Sequence, residues 1–279
     1  MLAKSMFRTL IKSPSTLLAL AWIFVLTLAA ATFDFLPLMN PNESDFENIA
    51  TGPSFMHLLG TDEIGRDILS RTITASQISL QVGFVAVLIA ALIGGTLGLC
   101  AGYFRGKFDL VVMAANDVLL AFPGLILALA LVAVLGASAQ NVIIALGVVM
   151  TPAFARVARA STLSFTARPF VTAAKSMGAS HRQIIWSELA ANVGLAILAY
   201  GLTAISVAIL AEGALSFLGL SVPPPAATWG GMIVSGKEVL AESPHIVLMP
   251  ALAMFLTVLS FNSIGETFRK VIDRRVSQL

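Results

Sequence analysis

Long stretches without a charged residue alternate with short, charged connections along the chain. Because charged side chains are costly in hydrocarbon, an apolar stretch of about 20 residues indicates a membrane-spanning helix. The stretch between Asp117 and Arg156 is too long for one helix, and residues 136–141 divide it into two. The stretch after Glu212 is not counted, since the prolines at 223–225 break a helix. Six spans are predicted: 16–33, 78–104, 118–136, 141–157, 191–211 and 245–265.

Composition supports a membrane location. The chain has 279 residues, of which 57% are hydrophobic and 11% charged, and its mean hydropathy is +0.90. Soluble domains carry about 25% charged residues, so a soluble enzyme and a disordered chain are both excluded. The net charge of +2 gives no indication of nucleic-acid binding. The single cysteine, Cys100, cannot form an internal disulfide.

The basic residues predict the orientation. With a cytoplasmic N-terminus, 14 of the 17 Lys and Arg residues fall on the inner side, and nine acidic residues, from Asp34 to Glu242, fall outside. Loops rich in Lys and Arg stay in the cytoplasm, so both termini are expected to be cytoplasmic.

The first segment has two interpretations. Lys4, Arg8 and Lys12 precede an apolar run that ends in three alanines, a pattern that also occurs in cleaved signal peptides. The apolar run, Leu17–Phe33, is longer than a signal-peptide core, which favours a retained span. The chain is then organised as residues 1–77, with the first span and an acidic extracytoplasmic loop at 34–77, and a five-helix core at 78–279.

A long cytoplasmic loop, about 158–190, is predicted to hold two short helices. Pro169 suits a first helical position, Gly178 suits the residue after a helix end, and Ser180 begins a capping box. Ala173 and Ala174 predict a thin face that another surface could approach. An ordinary alanine-rich surface helix is the alternative.

The residues of this loop resemble a known family. The sequence Thr172–Gly178, with Ile184, Ile185 and Asn192, resembles the "EAA" loop in membrane subunits of ATP-binding-cassette importers, with Thr172 in place of the usual Glu. The resemblance implies a type I importer permease fold of six transmembrane helices, and a coupling helix that docks in the ATPase subunit. The implied ATPase-coupling residues are Arg168, Pro169, Phe170, Val171, Thr172, Ala173, Ala174, Lys175, Met177 and Gly178.

Two further segments resemble the dipeptide and oligopeptide permease group, specifically its C-type subunit. One is the outer-loop sequence Gly60–Arg71, and the other is Leu215–Gly219 followed by Pro224 and Trp229. The first contains Gly60, Thr61, Asp62, Gly65, Arg66, Asp67, Ser70 and Arg71. Asp62 and Arg66, like Asp67 and Arg71, stand four residues apart in the order that favours helical ion pairs. The spacing predicts an interfacial helix, with docking of an external binding protein as the alternative.

Glu212 is the one ionisable residue predicted near membrane depth. Such a carboxylate normally faces water or has a partner. It is therefore expected either at the outer mouth of the pathway, with Ser216, Phe217 and Trp229, or in a structural role. The structural role would be to cap Leu215–Leu218 or to pair with Arg66 or Arg71.

The sequence predicts no chemistry in this chain. His57, His181 and His245 are scattered between both membrane faces, so no metal site is expected, and no set of catalytic residues converges. Gly102–Lys107 is too short for a phosphate-binding loop. The resemblance implies that ATP and Mg²⁺ are bound by partner ATPase subunits.

The expected function is the transmembrane subunit of a peptide importer in the bacterial inner membrane. The implied partners are a homologous permease subunit, cytoplasmic ATPase subunits, an extracytoplasmic binding protein and membrane lipid, with no nucleic acid. The alternatives are a stand-alone secondary transporter or channel, or a permease for nickel chelates or another non-peptide solute. A membrane-bound enzyme is disfavoured.

Overall fold

The computed structural model describes residues 13–276, which are helical apart from connections and one isolated bridge between Thr61 and Asp67. A π-helical turn occurs at Ile184–Leu189, and 3₁₀ turns occur at Phe33–Phe35 and Gly236–Val239. The predictions that rest on Lys4, Arg8 and Lys12 lie outside the described residues. The helices are α1 (Pro14–Ala31), α2 (Ile68–Phe104), α3 (Gly106–Leu120), α4 (Gly124–Leu135), α5 (Ala139–Thr166), α6 (Pro169–Ser176), α7 (His181–Gln183), α8 (Ala190–Phe217), α9 (Trp229–Ser235) and α10 (His245–Val276).

The predicted all-helical membrane fold is confirmed. Among the described residues, five helical units are long and apolar enough to cross a membrane, and α3 with α4 makes a sixth if the pair counts as one bent span. The five are α1, α2, α5, the continuous unit His181–Phe217, and α10 over His245–Ile272.

The third span differs from its prediction as one helix over 118–136. Helix α3 begins at Gly106, and the chain bends by 84° before α4. Pro123 has no N–H to donate to the Leu119 carbonyl, and it disfavours a helical conformation at Phe122. The bend therefore follows from Pro123, which a prediction based only on the lack of charged residues did not take into account.

The fourth span is longer than its predicted bounds of 141–157, and it extends into the segment predicted as a loop over 158–190. Helix α5 continues to Thr166, and the next long helical unit begins at His181. Arg156 donates to Asp117 Oδ1 at 2.7 Å, and Arg159 donates to both carboxylate oxygens of Asp109 at 2.5 and 2.6 Å. Because these aspartates neutralise both arginines, Arg156 and Arg159 can lie within a helix. The connection between the two long helical units is therefore limited to residues 167–180.

The core is built around α2 and α5, which pack extensively along their length. A β-carbon at Gly94 would meet the Thr151 carbonyl, and one at Gly98 would meet the Ala155 carbonyl and lie 2.8 Å from Ala158 Cβ. The glycines spaced four apart thus let two backbones approach closely. They therefore serve packing within the chain.

The first helix is fastened to the bundle by polar contacts. Trp22 Nε1 donates to Thr257 Oγ1 on α10 at 3.0 Å, and Gln77 Nε2 on α2 donates to the Ala30 carbonyl at 2.6 Å. Many large apolar side chains on α1, α2 and α10 remain exposed, including Leu18 and Phe24. Such a surface suits hydrocarbon rather than water.

The bundle has two chemically different ends. The end with residues 32–67, 136–138 and 218–244 is called the acidic end, and the end with Arg105 and residues 167–180 is called the basic end. Both candidate sites lie at these ends.

Candidate functional site

Helix α6, at the basic end, is defined by local sequence signals. Pro169 occupies its first turn, and Gly178 has φ +81°. The Gly178 N–H donates to the Lys175 carbonyl and the Ala179 N–H to the Ala174 carbonyl, both at 3.0 Å, which forms a Schellman motif. The Gln183 N–H then donates to Ser180 Oγ at 3.3 Å and starts α7. The predicted start, stop and cap are confirmed.

One face of α6 is anchored and the other is open. Val171 and Ala174 are buried in a cluster that includes Leu99. Ala173 is exposed, and so is Met177, with 81% of its surface accessible. The predicted common face of Ala173 and Ala174 is wrong, since successive helical residues point about 100° apart. The other predicted residues, Arg168, Pro169, Phe170, Thr172, Lys175 and Gly178, are exposed or half-buried.

Tyr103, at the end of α2, connects this segment to the bundle. Its hydroxyl is 2.7 Å from His181 Nδ1, and the Lys175 ammonium lies 5.6 Å from the centre of its ring. Arg105 Nη2 also donates to Thr166 Oγ1 at 3.2 Å. Sequence reasoning missed Tyr103 and His181, because residues 78 positions apart carry no spacing signal.

At the acidic end, Asp62 lies between two arginines. Arg66 Nε donates to Asp62 Oδ2 at 2.7 Å, and Arg71 Nε lies 3.4 Å from the same oxygen. The predicted helix over this motif is wrong. Gly65 has φ +83°, and the chain turns there so that its N–H donates to the Asp62 carbonyl.

The predicted pair of Asp67 with Arg71 does not form. Asp67 is the N-cap of α2, and its Oδ2 accepts from the Ser70 N–H at 2.8 Å and from the Ser70 hydroxyl. Gly60 and Thr61 lie beside this cap, and the Thr51 N–H donates to Thr61 Oγ1. The outer-loop motif is thus a folded structure of turns and caps.

His57, which the sequence left without a role, lies inside this loop. It is 2% exposed, its Nδ1 is 3.0 Å from Asp67 Oδ1, and its Nε2 is 3.6 Å from Asp45 Oδ2. A hydrogen bond from the Asn48 amide lowers the pKa of the Asp45 carboxyl. Across residues 13–276, no three His, Cys, Asp or Glu side chains are grouped as metal ligands. Through its proximity to Asp45 and Asp67, His57 connects two parts of the loop.

Glu212 is fully buried where α2, α8 and the following loop meet. Its carboxylate accepts hydrogen bonds from Ser216 Oγ at 2.8 Å, Ser221 Oγ at 2.7 Å and Ser79 Oγ at 3.5 Å. Pairing with Arg66 or Arg71, one of the structural roles considered for Glu212, does not occur, because both arginines are held by Asp62.

Trp229 is linked to this carboxylate through Ser79, whereas Phe217 points away from the protein. The Trp229 N–H donates to Ser79 Oγ at 3.3 Å, and its Nε1 donates to the Thr72 carbonyl at 3.0 Å. Phe217 is 61% exposed. The structure thus brings three of the four predicted residues together, namely Glu212, Ser216 and Trp229. Ser79 and Ser221 were missed, because a serine in an apolar helix or in a connection gives little sequence signal.

Comparisons with known proteins agree on one family. Residues 94–278 match the family described as "Binding-protein-dependent transport system inner membrane component". The chain is 39% identical over 259 residues to the glutathione transport system permease protein GsiD of Pectobacterium atrosepticum, covering 92% of this chain and 86% of that protein. It is 41% identical over 258 residues to GsiD of Escherichia coli, covering 92% and 85%.

A solved structure shares the fold. An inward-facing conformation of the MetNI methionine ABC transporter includes a chain that superposes with a TM-score of 0.60. The match covers 74% of this chain and 96% of that chain at 17% identity.

Proposed function

The chain belongs to the family of binding-protein-dependent transport system inner membrane components, and on this premise we propose that it forms half of the pathway of a glutathione or small-peptide importer. The observation that carries the substrate class is the 39–41% identity to glutathione permeases over 92% of the chain. The subunit does no chemistry of its own, and ATP and Mg²⁺ are bound by partner ATPases.

The basic end is the proposed contact with the ATPases. The buried Val171 and Ala174 fix α6 to the bundle, while Ala173 and Met177 project from it. An ATPase that grips the open face therefore moves the spans as a rigid body. The small Ala173 side chain leaves room for close approach.

The proposed orientation is N-in and C-in, in a bacterial inner membrane. The basic end then faces the cytoplasm, in line with the preference of Lys and Arg for that side. The acidic end faces an external binding protein. A second permease subunit completes the pathway, and lipid covers the exposed apolar faces.

Uptake of labelled glutathione and a panel of dipeptides tests the function. Deleting the gene is expected to abolish uptake of at least one of these peptides, and the wild-type gene to restore it. Unchanged uptake of the whole panel in the deletion strain would contradict the proposal.

An Ala173→Glu variant tests the ATPase contact. The added charge in a closely fitted interface is expected to lower uptake by about tenfold or more, since unpaired buried charges cost several kcal/mol. Ser164→Glu, at an exposed position outside α6, is the matched control and is expected to transport normally. Equal membrane levels of the two variants are checked by immunoblot. Equal uptake by both variants would contradict the proposed contact between α6 and the ATPase.

A further inference from the structure

A cavity of about 500 Å³ opens at the acidic end, between three connections of the chain. The 62–71 motif supplies Glu63, Arg66 and Arg71, the α4–α5 turn supplies Ala137, and residues 216–235 supply the remaining wall. A volume of this size lies within the range of about 300–1,000 Å³ that is typical of small-molecule sites.

The two arginines on its wall are nearly buried, Glu63 is partly buried, and Glu63 and Arg71 are incompletely partnered. Arg66 is 9% exposed and Arg71 is 5% exposed, and both guanidinium groups share Asp62. Glu63 Oε1 lies 3.6 Å from Arg66 Nη2, while Glu63 Oε2 and Arg71 Nε are buried without a hydrogen-bond partner among the described residues. Leaving such groups unpaired costs free energy, which a ligand of matching charges would recover.

The rest of the wall is apolar, with a few hydroxyl groups. Val222, Pro223 and Met232 give the apolar surface, and Ser221 and Thr228 lie beside it. This mixture suits a peptide, which carries opposite charges at its termini and uncharged atoms between them.

We propose that this cavity binds the transported peptide by its opposite charges, with its C-terminal carboxylate at Arg66 and Arg71 and its ammonium group at Glu63. The assignment rests on the proposed function, and it adds a substrate site on this subunit. Carboxylates pair bidentately with guanidinium groups, which makes the arginine side the stronger anchor.

Cysteine protection in the assembled importer tests the site. Ala226 lines the cavity and is exposed, whereas Glu238 is exposed and lies outside it. Each is replaced by Cys in a Cys100→Ala background, and labelling by a membrane-impermeant maleimide is timed from the outside. S-methylglutathione, which has no free thiol, is the probe. At millimolar concentration it is expected to slow labelling of Ala226→Cys and not of Glu238→Cys.

The Glu63→Gln variant separates the charge from the shape. The loss of one charge-assisted contact is expected to raise the half-protecting concentration of S-methylglutathione about tenfold. The N-acetylated probe has no ammonium group and is expected to protect both forms equally. Unchanged labelling of Glu238→Cys in the same variant shows that the fold is intact.

Three results would overturn the assignment. One is equal labelling of both positions with and without S-methylglutathione in cells that still import it, which leaves the proposed function standing. Another is protection of Ala226→Cys by the binding protein alone, which would make the cavity a protein-docking site. The third is an equal effect of Glu63→Gln on both probes. If cells do not import S-methylglutathione and it still protects Ala226→Cys from labelling, the result would support the cavity as a binding site and contradict the proposed substrate.

Discussion

At the scale of the residue, Glu212 shows how this chain accommodates a carboxylate at zero exposure. Hydroxyl groups of Ser216 and Ser221 donate to one oxygen, and Ser79 donates to the other. Because Ser79 belongs to α2 and Glu212 to α8, the group joins two long helices. A buried polar group of this kind stabilises a structure only while its partners remain in place.

Replacing Glu212 by Ala is expected to lower the free energy of unfolding by roughly 1–3 kcal/mol, since three hydroxyl groups lose their acceptor. Glu212→Gln keeps the shape and one acceptor oxygen, so its cost is expected to be smaller. Thermal unfolding of the purified protein in detergent, followed by tryptophan fluorescence, measures both. The control is Ser235→Ala, an exposed hydroxyl bonded to its own helix. An unfolding temperature for Glu212→Ala equal to that of the wild type would refute this account.

At the scale of the element, the contact of α2 with α5 depends on two glycines, which have no side chain to separate the helices. Gly94 and Gly98 bring the α2 backbone against the carbonyls of Thr151 and Ala155. Without apolar burial to drive helices together in lipid, dispersion contacts across such a seam provide much of the association. Any added atom at these positions separates the two helices over several turns.

Gly98→Ala is expected to destabilise the fold by roughly 1–3 kcal/mol, the usual cost of overpacking. Gly194→Ala, in α8, is the matched control, because a β-carbon there meets nothing within 4 Å. The control is expected to be neutral or stabilising, since alanine is the better helix former. The protease resistance of the two variants is compared in membranes. Equal resistance would show that the contact between α2 and α5 accommodates an added methyl group.

At the scale of the whole molecule, charge is sorted between the ends of the bundle. Arg156 and Arg159 near the basic end are each neutralised by an aspartate of α3. Arg66 and Arg71 at the acidic end are held by Asp62. Lys107, Lys175 and Arg182 lie exposed at the basic end, so the positive charge that orients a membrane protein is concentrated there.

This asymmetry predicts which end faces outward. In a Cys100→Ala background, Ser54→Cys at the acidic end is expected to react with an impermeant maleimide in spheroplasts. Lys107→Cys is expected to react only after permeabilisation. Both positions are exposed, so access to reagent differs only by membrane side. The reverse labelling pattern would invert the topology.

The sequence predicted those features of the fold that depend on interactions between residues close together in the chain. The Pro169 start, the Gly178 stop and the Ser180 cap involve neighbours within a few residues, and all are confirmed. The apolar spans were predictable because hydrocarbon excludes unpaired charge. The prediction failed where charges are paired across helices, as for Asp109 with Arg159, since pairing lets a helix continue through them.

The acidic end was less predictable for the same reason. The rule for helical pairs matched Asp67 with Arg71, but the turn at Gly65 places Arg71 beside Asp62 instead. The cavity proposed as a peptide site is assembled from segments more than 60 residues apart in sequence. Its residues could be recognised as a motif, yet only the folded chain shows that they share a wall.

The π-helical turn at Ile184–Leu189 gives the long helix one residue more than an α-helical path needs. Deleting the exposed Ser187 would let this turn revert to α-helix and leave the span intact. Everything before the deletion would then keep its phase and position relative to α8, because the residue that the wider turn absorbs is the one removed. The deleted protein is expected to reach the membrane, assemble and couple ATP hydrolysis to peptide transport, as measured in proteoliposomes. ATP hydrolysis without transport by the deletion variant would show that the wide turn itself aligns the basic end with the ATPase.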